Sequence, residues 1–416
     1  MRYQARVVDT ELATRLASTG AVVIEGPKAC GKTATARQIA ASEVLLDVDD
    51  NAREAVAVAP ALVLDGAVPR LIDEWQTEPT IWNHIRRAVD SRQLPGQFIL
   101  TGSAVPADDI TRHTGAARIT RLRMRPMSLF ETGHSTGALS LGGLLDRAPS
   151  DSPDPGLTVA AIAERVAAGG WPGHRGRTVG QSLQALRDYL DEIRRVDIVR
   201  VDRTRRDPQK VGRLLSSLAR NVATTVAVTT LAADTGGADG ALKDDTVREY
   251  LTALERLMII EDQPAWAPHL RSKSILRSAP KRHFVDPSLA VAALRATPDH
   301  LLRDLHLFGF LFESMVTRDL RVYAQANDAV VLHYRDNTDL EVDAIVQAAN
   351  GRWAAFEVKL GHGQIEEAAA NLLTFATRGD TRKCGAPSAL AVGVGTGYGY
   401  IRNDGVVVIP IGALGP

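Results

Sequence analysis

The segment Ala21-Val22-Val23-Ile24-Glu25-Gly26-Pro27-Lys28-Ala29-Cys30-Gly31-Lys32-Thr33 constrains this chain more than any other. Four β-compatible apolar residues run into the pattern G-x-x-x-x-G-K-T, and residues 34–40 beyond it suit a helix. Strand, glycine-bounded loop and helix in that order make a cradle for phosphate. Gly26 and Gly31 let the backbone curl and turn its N–H groups inward. The turn through Gly26, Pro27, Lys28, Ala29, Cys30, Gly31, Lys32, Thr33 and Ala34 is expected to line a nucleotide. Lys32 would bring a point charge to the β- and γ-phosphates, and the Thr33 hydroxyl would ligate Mg²⁺. ATP with Mg²⁺ is therefore the expected ligand.

A sheet domain over residues 1–140 follows from what comes next. Val44-Leu45-Leu46-Asp47-Val48-Asp49 is a second strand candidate, and Pro69-Arg70-Leu71-Ile72-Asp73-Glu74 a third that ends in paired carboxylates. Acids at that place suit two roles, Asp73 in the Mg²⁺ shell and Glu74 polarising a water. Two acids opening a helix are the plain alternative. Phe98-Ile99-Leu100-Thr101-Gly102-Ser103 is a further buried strand, and Thr101 or Ser103 could sense the γ-phosphate or simply cap a turn. Strands alternating with helices, with the chemistry at strand C-terminal ends, describe an open parallel α/β sheet. Arg112, Arg118, Arg121, Arg123 and Arg125 follow with no acid among them. One of them, Arg118 by preference, could act as an arginine finger within the chain or on a neighbouring subunit. A solvated strand face or contact with phosphate backbone would look the same.

Four stretches in this order carry a resemblance: the P-loop, Leu71-Ile72-Asp73-Glu74-Trp75-Gln76, Phe98-Ile99-Leu100-Thr101-Gly102-Ser103, and Arg123-Met124-Arg125-Pro126-Met127-Ser128-Leu129. The chain resembles AAA+-like ATPases of bacteria and archaea that typically carry a C-terminal domain of unknown function. The resemblance covers the whole chain and implies ATP hydrolysis.

Residues 141–295 read as a helical region. A proline-rich linker at 147–156 leads to helical periodicity over 157–168 and 181–200, separated by Gly169-Gly170-Trp171-Pro172-Gly173, a turn that also occurs in the family and is expected to be architectural. Short helices over 207–260 and a β-ribbon before Arg282-His283-Phe284-Val285-Asp286-Pro287 suggest a winged helix. Arg271, Lys273, Arg277, Lys281 and Arg282 lie in its ribbon without an acid, as a wing gripping DNA would require. A solvated loop would also read so.

Residues 296–416 are expected to form a second α/β domain. An apolar helix over 301–322 carries Glu313, and strand candidates follow at 329–334, 340–346 and 353–359. Alternation puts Glu341, Asp343 and Ile345 on one face, and Glu357 with Lys359 opposite Phe356 and Val358. A hairpin across 347–352 then brings Asp343 beside Glu357 and Lys359. This set is similar to the PD-(D/E)xK nuclease core. That similarity implies Asp343 and Glu357 as Mg²⁺ ligands and Lys359 at the attacking water, with Glu313 and Gln364 in support. A salt-bridged sheet face without activity is the alternative.

Charge bounds the partners. The 49 basic and 49 acidic residues balance, so local patches must carry any nucleic-acid binding, with DNA ahead of RNA. Two cysteines exclude a disulfide framework and favour a reducing compartment. No apolar run approaches 18 residues. The expectation is a cytoplasmic, non-membrane protein, with a homo-oligomer as a further candidate if the arginine finger comes from a neighbour.

Overall fold

The computed structural model describes residues 3–103, 114–201, 204, 206–267, 279–378 and 384–416. Helix α1 (Val8–Ser18) precedes a five-stranded sheet of β1 (Ala21–Glu25), β2 (Ser42–Leu45), β3 (Arg70–Asp73), β4 (Phe98–Gly102) and β5 (Ile119–Arg123). All strands are parallel, in the order β2-β3-β4-β1-β5. Helices α2 (Lys32–Ala36) and α3 (Ile81–Arg92) are among those that connect them. The strands Ala21–Glu25 and Phe98–Gly102 are buried almost throughout, the near-continuous apolar reading of a sheet covered on both faces. In α3, Ile81, Trp82, Ile85 and Val89 form the buried stripe of an amphipathic helix. Because β4 lies between β1 and β3, the C-terminal ends of the P-loop strand, the acidic strand and the Thr101 strand open side by side.

The short strand β6 (Leu139–Ser140) and a helical region follow, with α4 (Val159–Ala168), α5 (Val179–Glu192), α6 (Pro208–Arg220), α7 (Val228–Gly236), α8 (Asp244–Arg256) and α9 (Pro287–Ala293) as its main helices. Thr178 and Gln181 form a capping box that starts α5. Between α8 and α9 the chain makes antiparallel bridges, Ile260 to Phe284 and Gln263 to Lys281. The Gly169–Gly173 turn is architectural, as expected. A Cβ on Gly170 would lie 1.9 Å from the Met127 carbonyl oxygen, and Met127 N–H donates to the Gly170 carbonyl at 2.6 Å. Gly170→Ala should therefore cost about 1–3 kcal/mol, as overpacking against backbone does; chemical denaturation of the two proteins would measure it.

The C-terminal part is built on the long helix α10 (Leu305–Ala326) and a six-stranded sheet. Its strands are β7 (Ala329–Arg335), β8 (Glu341–Ala348), β9 (Trp353–Lys359), β10 (Ala389–Val394), β11 (Tyr400–Ile401) and β12 (Val407–Pro410), with α11 (Ile365–Arg378) between β9 and β10. The hairpin β8–β9 turns where the sequence places it, with Gln347 opposite Trp353. Strict alternation along β8 fails. The register slips between Leu332 and Tyr334, so His333 faces two residues, Asp343 and Ala344. Ile345 therefore packs with Leu340 and Val342, while Ala344 packs with Val346 and Phe356 on the other face. One apolar cluster runs from Leu129 through the helical region and α10 to Leu414, so the helical and C-terminal parts share a core. Among the described residues no helix is long and apolar enough to cross a membrane.

Candidate functional site

The P-loop leaves β1 at Gly26, where a Cβ would sit 2.3 Å from the Met124 carbonyl oxygen, so only glycine fits. Gly31 has a φ of 104° and Ala29 a φ of 63°, the left-handed backbone that closes the loop. Lys32 opens α2 and donates from Nζ to the carbonyl oxygens of Gly26 at 3.0 Å and Pro27 at 2.9 Å. The Thr33 hydroxyl donates to Asp73 Oδ1 at 2.9 Å, and the Thr101 hydroxyl bonds the same carboxylate oxygen. Glu74, at a φ of 51°, turns out of β3 and accepts from the Ser103 hydroxyl at 3.3 Å and from the Gln76 amide. A cleft of about 980 Å³ joins the loop to Glu74, Gln76 and Ser103, and Gln76 Oε1 on its wall is buried with no partner. Hydroxyl, carboxylate and ammonium around such a cleft fit a magnesium-bound triphosphate: hard oxygen donors for the metal, N–H groups and Lys32 for the phosphates.

Two expected contributors stand elsewhere. The Cys30 side chain is fully buried, its Sγ 3.8 Å from the Met124 carbonyl oxygen, so only its backbone can meet a ligand. Arg118 precedes β5 and bonds Ala21 at the start of β1, while the P-loop follows the end of β1. Five residues of strand put it roughly 13–17 Å from the loop at about 3.3 Å per residue. It pairs with Asp90 at 2.7 Å, so the expectation that it serves this chain's own nucleotide is corrected. Arg121 pairs with Glu25, and Arg123 and Arg125 reach Glu261. Burial would raise Glu261, but the guanidiniums of Arg125, Arg123 and Arg321 hold it well below the usual carboxylate range. Arg112 lies outside the described residues. Sequence reasoning missed Arg6, which is buried and donates to the carbonyl of Cys30 at 2.9 Å, the carbonyl of Arg125 at 2.7 Å and Glu131 at 2.9 Å. It clamps the back of the loop, and no motif marks it.

A second cluster lies in the C-terminal part. Glu313, Asp343 and Glu357 are buried and share a cleft of about 750 Å³ with Lys359 and Gln364. Lys359 Nζ is 2.8 Å from Glu357 and 3.7 Å from Asp343, which also accepts from the Val358 N–H at 2.8 Å. Asn371 donates to Glu357 at 2.7 Å. The sequence reading placed Lys281 in the basic ribbon, not in this cluster. Its ammonium lies 2.8 Å from Glu313, 2.8 Å from Glu341 and 3.2 Å from Asp343, with 2% of its side chain exposed. Burial would lower Lys281, but these three carboxylates hold it well above the ordinary lysine value. Burial, reinforced by Asp343, raises Glu313 to about 8 and Glu357 to about 7. Asp343 is pulled the other way: burial favours the neutral acid, yet Lys281, Lys359 and the Val358 N–H keep it below the usual range.

A divalent metal fits this donor set poorly, because an ammonium already sits among the carboxylates that would hold it. Among the described residues no group of three acid, histidine or cysteine side chains is disposed to hold a metal ion. Two of the five cations expected in a basic wing lie among the described residues. Lys281 faces inward, and Arg282 pairs with Asp262. Arg271, Lys273 and Arg277 fall outside the described residues.

Residues 18–133 match the family profile of an AAA domain. Over these residues the chain is similar to P-loop ATPase-like AAA domains. Residues 159–300 and 308–414 match two domains of unknown function, DUF8612 and DUF4143. The chain is 23% identical over 372 residues to uncharacterized proteins of Mycobacterium bovis and Mycobacterium tuberculosis, covering 86% of this chain and 74% of each of theirs. A Walker-type ATPase of Pyrococcus abyssi aligns in structure at 13% identity with a TM-score of 0.42, over 70% of this chain and 98% of that one.

Proposed function

We propose that this chain binds and hydrolyses ATP at its P-loop and couples its nucleotide state to the C-terminal module, which binds or cuts nucleic acid. The convergence of Thr33, Thr101 and Asp73 at adjacent strand ends, beside Lys32 and Glu74, carries the first part. Thr33 and Asp73 would hold Mg²⁺, which neutralises phosphate charge when bound. Lys32 would bind the phosphates, Ser103 and Gln76 would orient Glu74, and Glu74 would take the proton of the attacking water. This assignment leaves Arg118 only a neighbour's nucleotide, and with it a homo-oligomer.

For the C-terminal module, the hairpin that brings Asp343, Glu357 and Lys359 together supports a nuclease-like reading. The Lys281 ammonium among the acids favours a second: a nucleotide-dependent switch whose C-terminal domain does not cut. Cleavage of linear, branched and single-stranded DNA and of RNA, in Mg²⁺ and in Mn²⁺ with and without ATP, separates the two. Cutting that disappears in Asp343→Ala establishes the nuclease. Hydrolysis of ATP with no cutting of any substrate establishes the switch.

A further inference from the structure

Lys28 is the third residue of the G-x-x-x-x-G-K-T pattern, and its side chain opens onto the same cleft as Lys32 and Thr33. Its ammonium donates to Asp197 Oδ1 at 2.6 Å. Asp197 comes from the helical region and is 169 residues away in sequence; its side chain is 6% exposed against 44% for Lys28. One partner is thus anchored in the helical region, while the other is free to swing on the loop that receives phosphate. The contact has a second strand to it. The Tyr189 hydroxyl on α5 donates to the Lys28 carbonyl oxygen at 3.5 Å and its ring packs on Trp171 with centroids 5.3 Å apart.

Asp197 closes a π-helical turn, Ile193–Asp197, that continues α5 into the short helix Ile198–Arg200. A wide turn of this kind interrupts the regular hydrogen-bond ladder, and such turns are frequent where a helix must shift. Ile193 in the turn and Ile198 and Val201 beyond it are buried in the large shared core, so movement at the turn is passed to the helical region.

We propose that the Lys28 ammonium is shared between Asp197 and the terminal phosphate of a bound nucleoside triphosphate, making Lys28 the residue that reports that phosphate to the helical region. This rests on the reading of the P-loop as an ATP site. A multiply charged phosphate out-competes one carboxylate for an ammonium. Drawing Lys28 toward the phosphate weakens its hold on Asp197, a buried carboxylate, a costly change that the helix relieves by moving at the π turn. A diphosphate lacks the terminal group and leaves the ion pair in place. With Arg118 at the far end of the sheet, Lys28 is then a second in-chain cation for that phosphate beside Lys32.

The test uses the full chain with Mg²⁺ and titrates fluorescent ADP and a slowly hydrolysed fluorescent ATP analogue. The proteins are wild type, Asp197→Asn, Lys28→Met and the double variant. Asp197→Asn should raise the preference for triphosphate over diphosphate about 10-fold, a coupling of ordinary allosteric size. Lys28→Met should lower the preference about 10-fold below wild type, leaving what Lys32 supplies, and the double variant should equal Lys28→Met. Trp171 emission, isolated by difference against Trp171→Phe, should respond to triphosphate but not diphosphate and lose that response in Lys28→Met. An unchanged preference in Lys28→Met, or in the double variant, which leaves no unpaired charge at this contact, overturns the proposal whichever single variant fails to fold. Additive effects in the double variant overturn it too. Failure of the wild type to bind either nucleotide would instead sink the underlying ATP-site reading.

Discussion

Lys281→Met is expected to destabilise the protein by about 3–5 kcal/mol, the usual loss when one partner of a buried ion pair is removed. The side chains are similar in length, so packing changes little and the charge effect dominates. Without the ammonium, Glu313, Glu341 and Asp343 face one another across the space it filled. The loss should depend on pH, and its sign follows from linkage. Burial and Asp343 already raise Glu313 to about 8, and removing Lys281 raises it further. A carboxyl with a raised folded-state value binds more protons folded than unfolded, so stability falls as pH rises from about 4.5 through the folded value. The variant should therefore suffer most at pH 8.5 and recover part of its stability near pH 5.5. Urea unfolding at both values measures this. A loss below about 1 kcal/mol at pH 8.5, where exposed pairs fall, would mean that water, not Lys281, balances the carboxylates.

Asp73→Asn is expected to lower the rate of ATP hydrolysis on the order of 10²–10³-fold, as removal of one electrostatic contact at a transition state does. Asp73 accepts from both Thr33 and Thr101. An asparagine keeps the shape and one acceptor, but it removes the charge that would hold Mg²⁺. Nucleotide affinity without metal should change little, while the gain in affinity on adding Mg²⁺ should shrink. Equilibrium titrations with and without Mg²⁺, beside a phosphate-release assay, separate the two effects. Equal loss with and without the metal would place Asp73 in the structural support of β3 instead.

How much of this could be read from the sequence depends on how locally each feature is encoded. Gly26, Gly31, Lys32 and Thr33 are contiguous, and their chemistry requires that spacing, so the loop was legible at once. Asp73 and Thr101 were legible because both close apolar strands, and parallel strands bring their ends together. Whether Arg118 could serve this chain's own nucleotide depended on register alone. It enters β5 on the side away from the nucleotide, and a few positions along the strand decide which end of the sheet an arginine occupies. Ile345 was assigned to the wrong face because nothing local announces the slip opposite His333. Lys281 looked like one more cation in a basic ribbon. Its partners are 32, 60 and 62 residues away, as the sequence numbers give, and only the fold brings them together. The pairing of strands Leu139–Ser140 and Leu414–Gly415 is equally silent in sequence, being a contact between two very short segments far apart in the chain.

The claim on which the rest depends is that ATP is bound and hydrolysed at the P-loop. Phosphate release from Mg·ATP by the purified full chain, compared with Lys32→Ala under identical conditions, tests it most directly. Lys32 supplies the ammonium that now bonds the loop's own carbonyls and would bind phosphate. The account predicts measurable turnover in the wild type and none above background in Lys32→Ala, with both proteins folded by circular dichroism. Equal turnover in the two proteins would contradict it and move any hydrolysis away from this loop.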